Sequence, residues 1–99
     1  MNQKIMSKTE VTDLLKKILQ AVAPEINFAD LDLLRSLKSQ VDIDSYDFYQ
    51  ILLKLEQQTG VSVPDPVVRE LKNLNELILY VVKKSEDQAL FANQGTTTH

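Results

Sequence analysis

One serine in this chain stands where its hydroxyl is available for covalent chemistry. In Asp44-Ser45-Tyr46-Asp47, Asp44 is a good N-cap acceptor and Asp47, three residues on, is a box-like partner. Gly60 supplies a left-handed stop, and Pro64 prevents any resumption before it. With Asp44 as the cap, Ser45 takes the first helical position and keeps its hydroxyl. A phosphate ester there would lie at the positive end of the helix, favourable by about 0.3–1 kcal/mol when exposed. An isolated Asp-Ser-x-Asp is in most proteins no more than a cap, so the spacing of the surrounding chain has to decide.

Other chemistries lack their parts. The chain has no Cys, no Trp and one His, His99, which excludes disulfide frameworks, thiol nucleophiles and Cys/His zinc sites. Asp42, Asp44 and Asp47 are not a calcium loop, because its sixth position would be Asp47 instead of Gly and its twelfth Leu53 instead of Glu. No base stands near any Ser, and 99 residues leave no second lobe to close a cleft, so the reading is not an enzyme. A net charge of -3 argues against nucleic acid, whose affinity is carried by clustered Lys and Arg. The start, Met1-Asn2-Gln3-Lys4, turns polar too soon for a signal peptide, and the apolar run Leu77 to Val82 is far short of a membrane span. A cytoplasmic monomer is expected.

The elements that position Ser45 follow from periodicity. Ser7 with Glu10 is a capping box, after which Val11, Leu14, Leu15, Ile18, Leu19 and Val22 recur on one helical face, ending near Pro24. From Glu25 to Ile43 the pattern loosens into a long ordered loop with one short helical turn around Leu31 to Lys38; such loops are usually functional. Phe28 within it reads as a core plug.

The next helix, Ser45 to Thr59, turns Phe48, Ile51, Leu52 and Leu55 toward a core, with Asp47, Gln50, Lys54, Gln57 and Gln58 on the opposite arc. Tyr46, Tyr49 and Leu53 form a second apolar stripe, either packed within a bundle or shown to a partner. Tyrosines so placed are more often packing than recognition. Asp65-Pro66 is expected to cap a short helix through Val67, Val68 and Leu71. Asn73 with Glu76 caps the last one, whose core stripe is Leu74, Leu77, Ile78 and Val81, with Lys83 and Lys84 at its C-terminal end. The fold class is therefore all-α, a small four-helix bundle of three longer helices and one short, with a long loop between the first and second. Residues 7–84 form the domain, 1–6 an N-terminal extension and 85–99 a polar tail expected to fray.

At this point the chain resembles the acyl carrier proteins, four-helix carriers that bear 4′-phosphopantetheine on a serine at the start of helix two. The resemblance rests on Asp44-Ser45-Tyr46-Asp47, on Leu52, Leu55 and Glu56, on Gly60-Val61-Ser62-Val63-Pro64-Asp65, and on Asn73-Leu74-Asn75-Glu76-Leu77, and covers roughly Lys8 to Lys84. It implies that a phosphopantetheinyl transferase esterifies Ser45 from coenzyme A. The thiol of the covalent 4′-phosphopantetheine cofactor would then hold an acyl group as a thioester, which answers the absence of Cys. It further implies that Asp44 helps the transferase, with its magnesium, to address the serine. The surface of Asp44, Tyr46, Asp47, Gln50, Leu53 and Glu56 would dock acyl-loading and acyl-transfer enzymes.

Two departures narrow this. Members serving fatty acid biosynthesis usually have Leu or Met after the serine and a strongly acidic second helix. Here Tyr46 follows it, and the outer arc holds Gln50, Lys54, Gln57 and Gln58. The expectation is a carrier in a specialised lipid, polyketide or peptide pathway, with weaker electrostatic steering of its partners. The alternative from another class is a helical protein-interaction adaptor without a prosthetic group, in which Ser45 only caps and the Tyr46, Tyr49, Leu53 stripe binds a protein.

Overall fold

A computed structural model describes the backbone of residues 5–97 and the side chains of residues 5–90. In order come α1 (Lys8–Val22), a 3-10 turn (Phe28–Asp30), α2 (Leu37–Gln40), α3 (Ser45–Thr59), α4 (Asp65–Glu70) and α5 (Leu74–Thr97), with no strand among the described residues. Because α2 is a single turn, the architecture is the expected all-α arrangement of three long helices and one short, plus that turn within the long loop.

Helix α1 starts where its box dictates. Glu10 N donates to Ser7 Oγ at 3.1 Å and Ser7 N donates to Glu10 Oε1 at 2.9 Å. Its apolar stripe buries Val11, Leu15, Ile18 and Leu19 and half-buries Leu14 and Val22. Each such side chain contributes about 1.5–3 kcal/mol on leaving water. The helix packs against both α3 and α5. In α3, Ile51 and Leu55 are fully enclosed and Phe48 and Leu52 half-buried. The helix stops at Gly60, whose φ of 75° is the left-handed conformation that a Cβ disfavours.

Helix α4 corrects one expectation: its N-cap is Pro64, Asp65 is already the first helical residue, and no side chain caps it. Pro66 accordingly sits one position further in, where its missing N–H is still one that the helix leaves unpaired.

Helix α5 corrects another. The chain does not fray at Ser85; the helix runs 24 residues to Thr97, so Lys83 and Lys84 lie in its interior. The buried stripe Ile78, Val81 continues through Ser85 and Ala89 at helical spacing. Ser85 Oγ donates to Val82 O at 2.8 Å and accepts from Met6 N at 3.1 Å, which ties the segment preceding α1 to this extension. Met6 also packs against the core, so part of the 1–6 extension belongs to the fold; residues 1–4 and 98–99 lie outside the described residues. Small side chains at the stripe positions concealed the continuation, since periodicity is read from large apolar residues.

The loop between α1 and α3 is ordered by buried side chains and by hydrogen bonds. Leu37 and Ile43 are buried in the core, and Phe28 packs half-buried against it, as a plug. Helical structure falls at Phe28–Asp30 and Leu37–Gln40 instead of around Leu31 to Lys38. The Gln40 amide closes the loop on itself, accepting from Asp32 N at 2.7 Å and donating to Asp32 O at 2.8 Å. Asn75 N donates to Leu33 O at 3.0 Å, and Asn73 Nδ2 donates to Leu34 O at 3.1 Å.

Asn73 therefore has two duties, because its Oδ1 also accepts from Glu76 N at 2.8 Å and caps α5. Glu76 returns the bond to Lys72 N at 2.9 Å, one residue before the position of a standard box. Asn73→Ala is expected to lower stability by about 1–2 kcal/mol. Asn73→Ser, which keeps a cap oxygen but loses the amide bridge, should recover part of that. Urea melts of the three proteins check it, and no loss in Asn73→Ala would show that the loop is held by burial alone.

Candidate functional site

Ser45 is the first residue of α3, and its side chain is exposed. Asp44 is the N-cap in extended conformation, with its Oδ1 accepting from Asp47 N at 2.8 Å. The return half of the expected box, from Asp44 N to the Asp47 carboxylate, is not made among the described residues. The consequence is chemical. With the cap supplied by Asp44, the Ser45 hydroxyl has no hydrogen-bond partner among the described residues, and esterifying it would break nothing in the fold.

Beside Ser45 a groove of about 470 Å³ opens between α3, α4 and the start of α5. Phe48, Leu52, Val68, Leu71, Leu74 and Leu77 give it apolar walls. These explain why Phe48 and Leu52 are only half-buried: their outer surfaces face the groove. Its volume is within the roughly 300–1,000 Å³ of clefts that take small ligands. A second hollow of about 560 Å³ follows the loop from Lys38 to Ser45. Ser45 and Lys38 line both, so an extended group attached at Ser45 starts where the two meet. An exposed hydroxyl at the positive end of a 15-residue helix, next to an apolar groove, fits a phosphate-linked chain with an apolar cargo.

The chain also matches known proteins. The family described as phosphopantetheine attachment site matches residues 9–81. The chain belongs to the acyl carrier protein family. It is 35% identical over 68 residues to an "Acyl carrier protein homolog" of Ureaplasma parvum, covering 69% of this chain and 84% of that one. It is 29% identical over 76 residues to an acyl carrier protein of Acidothermus cellulolyticus, covering 77% and 89%. To that of Thermobifida fusca it is 29% identical over 77 residues, covering 78% and 96%. No solved structure matches it significantly. The carrier's cofactor is a covalently attached 4′-phosphopantetheine. The alternative of an adaptor without a prosthetic group falls with this finding.

The structure keeps the inner face of the carrier's α3 where the helical wheel placed it and corrects the outer arc. Tyr46 and Tyr49 are 69% and 59% exposed, so neither is packing. Gln50, Lys54 and Asp47, assigned to the outer arc, are half-buried, as is Leu53, while Asp44, Glu56, Gln57 and Gln58 are exposed. On the wheel the enclosed residues Ile51, Leu55 and Thr59 centre the inner face on Leu55, as the four predicted core residues do, which puts Tyr46 opposite the core and Asp47 and Lys54 on its flank. Sequence reasoning gave Tyr49 little weight, yet it lines the groove one turn below Ser45. Its spacing of four from the serine was the available signal.

Proposed function

We propose that Ser45 bears the 4′-phosphopantetheine arm and that the domain presents the acyl group to partner enzymes of a specialised lipid, polyketide or peptide pathway. When bound, the arm supplies a thiol that holds the acyl group as a thioester. The single observation that carries the reading is the exposed hydroxyl at the first position of α3, without a hydrogen-bond partner among the described residues and with the capping duty discharged by Asp44. In the loading step Ser45 Oγ gives its proton to a base of the transferase and bonds to the pantetheine-bearing phosphorus of coenzyme A. The phosphoanhydride bond breaks, and adenosine 3′,5′-bisphosphate leaves.

Asp44 stands beside the reacting hydroxyl and is the residue through which the transferase and its magnesium address it. The positive end of α3 would stabilise the phosphate of an arm on Ser45, while the Asp47 N–H stays with Asp44. The groove walls accept the apolar part of the cargo and hold water off it. The carrier itself catalyses nothing and works as a cytoplasmic monomer; no helix of the described residues is long and apolar enough to cross a membrane. The test is mass spectrometry after incubation with coenzyme A, magnesium and a broad-specificity transferase: one arm gained, located on the peptide containing Ser45.

Partners dock on the outward side of α3, at Asp44, Tyr46, Asp47, Gln50, Leu53 and Glu56. Because Tyr46 is two-thirds exposed, Tyr46→Ala should leave the melting curve nearly unchanged while slowing acyl transfer to the cognate enzyme. Added salt should slow that transfer less than for a carrier with an acidic second helix, since much of the contact is apolar. Unfolding in Tyr46→Ala with normal transfer by the folded fraction would return the stripe to a packing role.

A further inference from the structure

The groove beside Ser45 carries charge of the opposite sign to the chain. The protein has a net charge of -3, and Asp42, Asp44 and Asp47 surround the serine on the loop and helix side. The groove is lined by Lys38, Arg69 and Lys72 against one acid, Asp65. These cations come from three segments, α2, α4 and the link to α5, and none of them is ion-paired among the described residues. Arg69 stands four residues after Asp65 without an ion pair to it among the described residues, and the carboxylate of Glu76, four residues after Lys72, accepts from the Lys72 backbone N–H. Side chains of this kind lay their methylene stems along an apolar wall and keep the charged head at its mouth. The groove thus pairs apolar walls with cations, Arg69 and Lys72 on the α4 side and Lys38 near Ser45, where Lys38 also lines the loop hollow with Asp42 and Asp44.

We infer that the groove selects an acyl group whose far end is anionic, a medium-length chain ending in a second carboxylate, with Arg69 and Lys72 holding that carboxylate and Leu52, Val68 and Leu77 holding the methylenes. The inference rests on the assignment of the arm to Ser45 and names the cargo class. A plain fatty acyl group would satisfy the walls and leave both cations without a partner. A short anionic group would leave the walls wet. Arg69 suits a carboxylate because its planar fork can donate two parallel bonds, whereas Lys72 adds a point charge.

The experiment loads the full-length chain by a broad-specificity transferase from two coenzyme A thioesters of equal length, octanoyl and hemisuberoyl. It then follows thioester cleavage by hydroxylamine, each rate divided by that of the same thioester on free coenzyme A. The hemisuberoyl form should be protected roughly two- to fivefold more than the octanoyl form at low salt, and this margin should shrink in 1 M salt. In Arg69→Gln/Lys72→Gln the margin should vanish. In Lys16→Gln/Lys17→Gln, which makes the same charge change on exposed positions of α1, it should persist. Equal protection of the two cargoes, or a margin that survives in Arg69→Gln/Lys72→Gln, overturns the inference and points to the cations meeting an acidic partner protein instead. Loading that is unaffected by Ser45→Ala overturns the arm assignment, and the inference with it, before any cargo is compared.

Discussion

Ser45→Ala should gain no mass under conditions in which the unaltered protein is expected to gain one phosphopantetheine arm. The effect should be all or none because only the hydroxyl can form the ester, and nothing at this position replaces it. The same substitution should leave folding intact. The Ser45 side chain is exposed with no hydrogen-bond partner among the described residues, and Ala is the best helix former, so the change in stability should stay within about 0.5 kcal/mol. Of the other five serines three are poorly suited, while Ser36 and Ser62 are exposed. Ser7 Oγ caps α1, Ser39 Oγ donates to Ser36 O at 2.8 Å, and Ser85 is buried. Ser36 is exposed and lines the same groove, so a mass gain that persists in Ser45→Ala would direct attention there first. Such persistence would remove the arm from Ser45 while leaving the family assignment untouched.

Leu55→Ala should destabilise the domain by about 2–5 kcal/mol, against about 0.5 kcal/mol or less for Gln57→Ala. Leu55 is wholly enclosed at the centre of the core formed with α1 and α5, and truncation leaves a cavity that rigid neighbours cannot fill. Gln57 is exposed on the outward face of the same helix. Since domains of this kind are stabilised by only about 5–15 kcal/mol, the Leu55 variant should be near unfolding at moderate temperature. Urea melts monitored by circular dichroism decide it. Similar midpoints for the two variants would mean that the inner face of α3 has been misplaced.

Much of this was legible in the residues because the signals were local. The Ser7 and Glu10 box, the Asp44 cap, the Gly60 stop and the stripes Val11 to Leu19 and Leu74 to Val81 each depend on neighbours within a turn or two, and each stands where periodicity put it. Ser45 was recognisable for the same reason: a cap immediately before it releases its hydroxyl.

What the tertiary structure alone decided depends on residues distant in the chain. That Gln40 and Asn73 brace the long loop follows from bonds to carbonyls and amides whose positions no local pattern specifies. That Gln50, Leu53 and Lys54 of α3 are half-buried depends on what packs beside them, which a wheel drawn on one helix cannot show. The continuation of α5 past Ser85 hid behind small residues, whose burial depends on what packs over them and not on their own hydrophobicity. The serine and its capped helix were determined by sequence. The groove beside it exists only because α2, α4 and the link to α5 line one opening with α3, which gathers Lys38 with Arg69 and Lys72, the last two more than twenty residues from Ser45 in the chain.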